Sequence, residues 1–250
     1  LISYVNYKKI NFIINCAAYT NVNLAEEEKQ LARSINVEGV DNLCKACSLN
    51  DISLIHISSD YVFDGNKQSP YFEHDMAKPL NFYGHTKLES EMIVKSYHTS
   101  FKLPVIVVRA NNIYGIRQFP EKIIPKFILR CIDGLSLQIH GNGSNLRHYL
   151  SAIDFASAIE LLSTKGEEGQ AYNIASDLEL SNLEVADLIK DQFHNKKINI
   201  EHVDDRPFND SRYAVNDKKL RKLGWNPKRN LKADLPEIVE WYKNNLDWFK

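Results

Sequence analysis

Ile52-Ser53-Leu54-Ile55-His56-Ile57-Ser58-Ser59-Asp60-Tyr61-Val62-Phe63-Asp64-Gly65 begins as an apolar run and ends in hydroxyls and a carboxylate. A run of that kind reads as a strand buried in a parallel sheet. Its carboxyl end is where an open α/β sheet holds ligands. Working outward, Asn11-Phe12-Ile13-Ile14-Asn15-Cys16-Ala17-Ala18 is a second such run, expected to be buried on both faces, and Leu103 to Arg109 is a third. Residues 25 to 48 read as one long helix with Leu31, Ile35, Val40, Leu43 and Ala46 as its apolar stripe. Pro79 to Tyr97 reads as another helix. Strands alternating with helices at this spacing predict right-handed βαβ units.

The second helix carries Tyr83-Gly84-His85-Thr86-Lys87. On a helix the phenol and the ammonium lie one turn apart on one face, within reach of one bound molecule. A phenol near its ordinary pKa of roughly 10 is a poor base at neutral pH, and a fixed positive neighbour is expected to favour its phenolate. The spacing alone decides nothing. With 12 Tyr and 22 Lys in 250 residues, about one Tyr-x-x-x-Lys arises by chance, and Tyr4 with Lys8 is a second match. Context has to carry the reading.

Beyond Asn112-Ile113-Tyr114-Gly115 the pattern changes. Lys122 to Ile132, Asp154 to Leu162, residues 181 to 193 and Leu231 to Asn244 read as helices. Leu137 to Ile139 and Tyr172 to Ile174 read as short strands. The expected organisation is a parallel α/β domain over 1–115 and a smaller α/β lobe over 116–250, some of whose segments return to the first domain.

Hydrophobic residues make up 44% of the chain, and Lys+Arg 31 stand against Asp+Glu 32. Neither disorder nor bulk attraction to nucleic acid is implied, so an anionic ligand must be held locally. No apolar run approaches the roughly 20 residues of a membrane span, and the start lacks a signal-peptide pattern. The expected compartment is the cytoplasm, with neither membrane nor nucleic acid as a partner. Cys44-Lys45-Ala46-Cys47 has metal or redox spacing, but it falls in a helical pattern and no second pair completes a zinc site. The eight His show no ligand spacing on one helix. No metal site is expected.

Ser58-Ser59-Asp60 followed by Tyr83-x-x-x-Lys87 resembles the extended short-chain dehydrogenase/reductase family. Arg109-Ala110-Asn111-Asn112-Ile113-Tyr114-Gly115 and Gln118-Phe119-Pro120-Glu121-Lys122-Ile123-Ile124-Pro125-Lys126-Phe127 are similar to the nucleotide-sugar 4,6-dehydratases of that family. His140 to Leu150, Tyr172-Asn173-Ile174 and Asp205 to Tyr213 continue the likeness. The resemblance implies a Rossmann-type doubly wound parallel sheet with a smaller C-terminal substrate lobe, NAD or NADP as cofactor, and a dTDP- or UDP-hexose as substrate.

The roles the resemblance implies can be placed on this sequence. Ser59, Asp60, Tyr83 and Lys87 would be catalytic: Ser59 would bond the sugar C4 oxygen, Tyr83 would exchange its proton, and Lys87 would hold the nicotinamide ribose. Ala17, Ala18, Tyr19, Ser58, Tyr83, Lys87 and Ile113 would line the cofactor site. Thr20, Asn112, Lys122, Arg147, Asn182, Arg206 and Asn209 would touch the substrate, with the two arginines as forks for its diphosphate. A homodimer through two helices is implied as well.

Two departures stand out. The glycine fingerprint that lets backbone approach a pyrophosphate is absent from all 250 residues. The expectation is an N-terminally incomplete sequence lacking its first βαβ unit. The second departure is Tyr61. The dehydratases carry Thr-Asp-Glu at the strand end, whereas Ser59-Asp60-Tyr61, with Asn15-Cys16-Ala17-Ala18-Tyr19-Thr20 before it, is similar to dTDP-4-dehydrorhamnose reductases. A phenol is a weak stand-in for a carboxylate base. Reductase or epimerase chemistry at C4 is therefore expected ahead of dehydration, and a non-catalytic cofactor- or partner-binding subunit is the reading from another class.

Overall fold

The computed structural model describes residues 4–5, 8–194, 197–205 and 212–249. Among these the chain forms two compact units, residues 1–110 with 157–174 and 214–226, and residues 111–156 with 175–213 and 227–250.

The first unit is built on a parallel sheet of order β1-β2-β3-β7, from Phe12–Asn15, Ser53–Ser59, Val105–Ala110 and Ala171–Ile174. It is the parallel α/β arrangement that the alternating runs predict. Residue pairs Asn15↔His56, Ser58↔Arg109 and Ser59↔Ala110 set the register. All of Val105–Ala110 is buried, as a central strand requires. The core here joins Val40, Cys44, Cys47, Ile52, Leu54, Val94, Leu103 and Val105. Burial pushes the Cys44 thiol up to about 12, with Cys47 and Asp41 adding to it, and Cys47 up to about 11. Both behave as packing residues.

Two expectations need correction. β1 stops at Asn15, lies at the edge of its sheet and leaves Ile14 46% exposed, so it is not buried on both faces. The helix over 25–48 is also not continuous. It runs as α1 (Lys29–Arg33), a π turn (Ser34–Glu38) and α2 (Gly39–Ser48). The wider turn adds a residue and breaks the 3.6-residue phase. Leu31 and Ile35 are consequently exposed, and Ala32, Asn36, Val37, Val40 and Cys44 face inward.

The helix Phe82–Phe101, α3, starts at Asn81, whose Oδ1 accepts from the Gly84 amide at 2.8 Å. It ends at Lys102 in the left-handed region, φ 58°. Arg109 of β3 and Glu91 of α3 pair bidentately in the interior, at 2.9 and 2.6 Å.

The second unit contains β4 (Asn112–Tyr114), α4 (Ile123–Ile132), β5 (Leu137–His140), β6 (Leu146–Ser151), α5 from Ala152, β8 (Glu179–Ser181), α6 (Asn182–Lys190), β9 (Ile200–Val203), β10 (Arg212–Tyr213) and α8 (Leu231–Asn244). Most of α5, which runs to Lys165, and the short α7 (Lys218–Arg221) belong to the first unit. β6 pairs with β4 and β10 in parallel and with β8 antiparallel, and β5 pairs with β9. α4, α6 and α8 contribute Phe127, Ile128, Val185, Ile189, Leu235 and Tyr242 to one core. A capping box at Ser181 and Glu184 starts α6. Among the described residues no helix is long and apolar enough to cross a membrane, and no group of three or more His, Cys, Asp or Glu could hold a metal ion.

Candidate active site

The carboxyl end of β2 turns directly into a 3-10 turn, Asp60–Val62, and this places Ser58, Ser59 and Asp60 in the interior of the first unit. Ser59 Oγ caps the turn by accepting from the Tyr61 amide at 3.2 Å, and it donates to Asp60 Oδ1 at 3.1 Å. The Ser58 hydroxyl is buried and has no hydrogen-bond partner among the described residues. An orphaned polar atom at a strand end is the kind of group a ligand satisfies.

α3 supplies the rest. Tyr83 and Lys87 lie one turn apart and are both buried, Lys87 to 2% exposure. Lys87 Nζ donates to the Ile57 carbonyl at 2.7 Å, one residue before Ser58. Burial lowers its pKa to about 8, against which Glu91 acts. Of the three donors an ammonium offers, this hydrogen bond uses one. The geometry therefore leaves Lys87 able to bond a polar group arriving at the strand ends.

Tyr83 sits in a small apolar cluster with Ala25 and Ala32, bordered by Tyr19, Val22, Tyr61 and Phe82. The ring of Tyr61 meets it edge-on, with centroids 5.7 Å apart. Burial drives the Tyr83 pKa well above the ordinary phenol range, a hydrogen bond with Ser59 acts in the opposite direction, and the charge of Asp60 adds to the rise. This corrects the expectation that Lys87 makes the phenol acidic. Desolvation is the largest influence on Tyr83, and one of the Lys87 donors is engaged by Ile57. Burial thus favours the neutral, proton-donating form of Tyr83.

The π turn holds this helix in place. Asn36 accepts from the Tyr19 amide at 2.7 Å, and its Nδ2 donates to the Tyr19 carbonyl at 3.1 Å and to Thr86 Oγ1 at 2.9 Å. Glu26 accepts from the Phe82 amide at 2.7 Å. Neither Asn36 nor Glu26 carries a motif that marks it in the sequence.

The other candidates fall in two groups. Ala17, Ala18, Tyr19 and Thr20 follow β1 in the first unit, with Ala17 and Thr20 exposed and the Tyr19 hydroxyl donating to Glu28 at 2.6 Å. Ile113, Asn112, Lys122, Arg147 and Asn182 belong to the second unit. There the β4-β6-β8 pairing gathers Asn112, Arg147 and the start of α6 at Asn182. Arg147 is buried with its guanidinium 5.4 Å from the Tyr213 ring centroid, and Lys122 pairs with Glu121 at 2.8 Å. Arg206 and Asn209 lie outside the described residues.

Known proteins are similar to this chain in sequence and in fold. The family described as RmlD substrate binding domain matches residues 2–243. A trifunctional UDP-glucose 4,6-dehydratase/UDP-4-keto-6-deoxy-D-glucose 3,5-epimerase/UDP-4-keto-L-rhamnose-reductase of Arabidopsis thaliana is 39% identical over 98% of this chain, which spans 38% of that relative's length. The dTDP-D-glucose 4,6-dehydratase of Bos taurus is 34% identical over 97% of the chain and 70% of its own. The crystal structure of DesIV, a dTDP-glucose 4,6-dehydratase from Streptomyces venezuelae with NAD and TYD bound, superposes with a TM-score of 0.94 at 27% identity, covering 100% of this chain and 79% of that one. A match running over nearly every residue, and not only over a serine, a tyrosine and a lysine, means that this chain belongs to the RmlD substrate binding domain group of the extended short-chain dehydrogenase/reductases.

Proposed function

We propose that this chain is the working part of an NAD- or NADP-dependent enzyme acting on a nucleotide-diphosphate hexose, with proton and hydride chemistry at sugar C4 ending in 4-keto reduction or epimerisation. The carrying observation is the placement of Ser59, a buried Tyr83 and a buried Lys87 around one strand end. The orphaned Ser58 hydroxyl and the unused Lys87 donors fit a dinucleotide, with Ala17, Ala18 and Tyr19 at the neighbouring strand end as further contacts. When bound, the nicotinamide supplies the hydride donor and acceptor.

In the reductive direction Ser59 would orient the C4 oxygen and Tyr83 would give it the phenolic proton that, together with a hydride to C4 from the bound nicotinamide, turns the ketone into a hydroxyl. In the oxidative direction Tyr83 takes that proton back. The phenolate left behind is a charge that the apolar cluster around Tyr83 penalises, and the hydrogen bond with Ser59 offsets part of that cost. Asn112, Lys122, Arg147 and Asn182 are proposed as substrate contacts of the second unit, with Arg206 and Asn209 joining them.

A true 4,6-dehydratase is the second reading, favoured by the names of the relatives. Tyr61 speaks against it, since elimination across C5 and C6 needs a base where this chain presents a phenol ring packed on Tyr83. Incubating the full-length protein with dTDP- or UDP-glucose and NAD separates the two. Accumulation of a 4-keto-6-deoxy sugar overturns the reductase reading, and oxidation of NADH or NADPH by a 4-keto sugar nucleotide supports it. A homodimer is proposed too, with Leu31 of α1, Ile35 of the π turn and Met92 of α3 as exposed apolar contacts. Light scattering on wild type and Leu31→Glu tests it, and a monomeric wild type ends the idea.

A further inference from the structure

His56 has no exposed surface, yet both its ring nitrogens are engaged. Asn15 Nδ2 lies 3.2 Å from Nδ1, and Ser90 Oγ lies 2.9 Å from Nε2. The far ends of both contacts settle the direction of each hydrogen bond. Asn15 Oδ1 accepts from the Ala17 amide at 3.2 Å, so its Nδ2 is the donor that faces the ring. Ser90 donates its hydroxyl proton to the Lys87 carbonyl at 2.7 Å, so its oxygen accepts from Nε2. The imidazole therefore carries its proton on Nε2 and is neutral.

We propose that neutral, Nε2-protonated His56 is a positioning residue that ties the Asn15–Ala17 turn after β1 to the Lys87–Ser90 turn of α3. The role rests on the hydride-transfer reading of Tyr83 and Lys87 and on Ala17 as a cofactor contact. The donors run in one direction, from Asn15 to His56, from His56 to Ser90 and from Ser90 to the Lys87 carbonyl, so each bond polarises the next. The next residue of β2, Ile57, holds the other end of Lys87 by accepting from its ammonium. The lysine is thus gripped through its backbone and through its side chain by two consecutive residues of one strand.

A buried imidazole used only for filling would be a poor choice, because desolvating both nitrogens is costly and Leu54 and Ile55 beside it are apolar. A second proton would point a donor at the Asn15 amide. Burial, and after it the charge of Lys87, keep the His56 pKa well below the ordinary histidine value. The side chain is held in its single working tautomer.

Two isosteric substitutions divide the relay. His56→Asn reaches the Nδ1 position and keeps Asn15 while losing Ser90, and His56→Gln reaches the Nε2 position and keeps Ser90 while losing Asn15. On the full-length protein, His56→Asn should lower kcat about tenfold or more, with the dinucleotide KM within about twofold. His56→Gln should raise the dinucleotide KM about fivefold and leave kcat within about threefold. Nitrogen NMR of the wild type, without cofactor, should show a protonated Nε2 and a bare Nδ1. The opposite tautomer, or folded variants that lose both parameters equally or neither, overturns the proposal. A wild type without dinucleotide-dependent turnover overturns the hydride reading itself, a result distinct from variants that fail to split while the wild type turns over.

Discussion

Gly84 of α3 lies directly against the backbone carbonyl of Tyr61: a Cβ there would overlap the Tyr61 oxygen and sit 2.9 Å from Cβ of Pro79. The glycine is helical, so its value is close approach and not conformational freedom. It sets how tightly the strand-end turn bearing Ser59 and Asp60 meets the helix bearing Tyr83 and Lys87. Gly84→Ala should therefore cost about 1–3 kcal/mol despite the better helix propensity of alanine. It should lower kcat/KM about 100-fold by pushing Tyr83 off Ser59. Gly39→Ala is the control, since its nearest neighbour would be the Ser34 carbonyl at an ordinary 3.5 Å. Thermal melts should show it unchanged or stabilised, and equal losses in both variants would contradict the close-approach argument.

The strand-end and helix motifs of this site were legible in the sequence because each residue carries its own chemistry. β2 and α8 were legible because burial on both faces, and one apolar face, leave unambiguous patterns. What stayed hidden is tertiary. The π turn exists where Asn36 bonds Tyr19 and Thr86, 17 and 50 residues away, and no local propensity signals that. Leu31 and Ile35 were misplaced for the same reason. The pKa of Tyr83 follows from burial beside Ala25 and Ala32, residues more than a helix away in sequence. Short strands such as β4, β8 and β10 carry too few residues to show a period.

Tyr61→Glu tests what the phenol excludes. The backbone amide of residue 61 still bonds Ser59, so the turn survives the change. The new carboxylate stands beside Tyr83, where a base for C5 deprotonation is called for. With dTDP- or UDP-glucose and NAD, the variant should form 4-keto-6-deoxy product at least about tenfold faster than wild type. No gain over wild type would show that Tyr61 is not what separates this chain from dehydration.

Lys87→Met should change how stability depends on pH. With its folded pKa near 8, below the ordinary lysine value, the unfolded chain binds more protons between those two pH values. Wild-type stability should therefore rise with pH through that window, and the burial penalty should be fully present below it. At neutral pH the methionine variant escapes a penalty on the order of 3 kcal/mol at most, offset by about 1 kcal/mol for the lost bond to Ile57. Urea titrations at about pH 7 and about pH 10 should show the relative stability of Lys87→Met falling as pH rises. A difference independent of pH would mean that Lys87 titrates normally.

Arg109 and Glu91 anchor α3 to β3 one turn beyond Lys87. Their side chains are 8% and 9% exposed, and Arg109 also donates to the Glu73 carbonyl at 3.1 Å and lies 5.1 Å from the Phe63 ring. Glu73 in turn accepts from the Asn173 amide at 3.0 Å, and Phe63 stacks on Tyr71. The guanidinium thus joins a helix, two strands and the loop after the strand-end turn. Removing one partner strands a buried charge, so Glu91→Ala should destabilise by about 3–5 kcal/mol. Replacing both with apolar residues, Glu91→Leu with Arg109→Met, should recover most of that loss, because no charge then remains unpaired. Chemical denaturation of Glu91→Leu, Arg109→Met and their double gives the coupling directly. Recovery of stability without recovery of kcat would assign the pair to holding Lys87 and the loop in register, whereas additive losses would mean that the two side chains act independently.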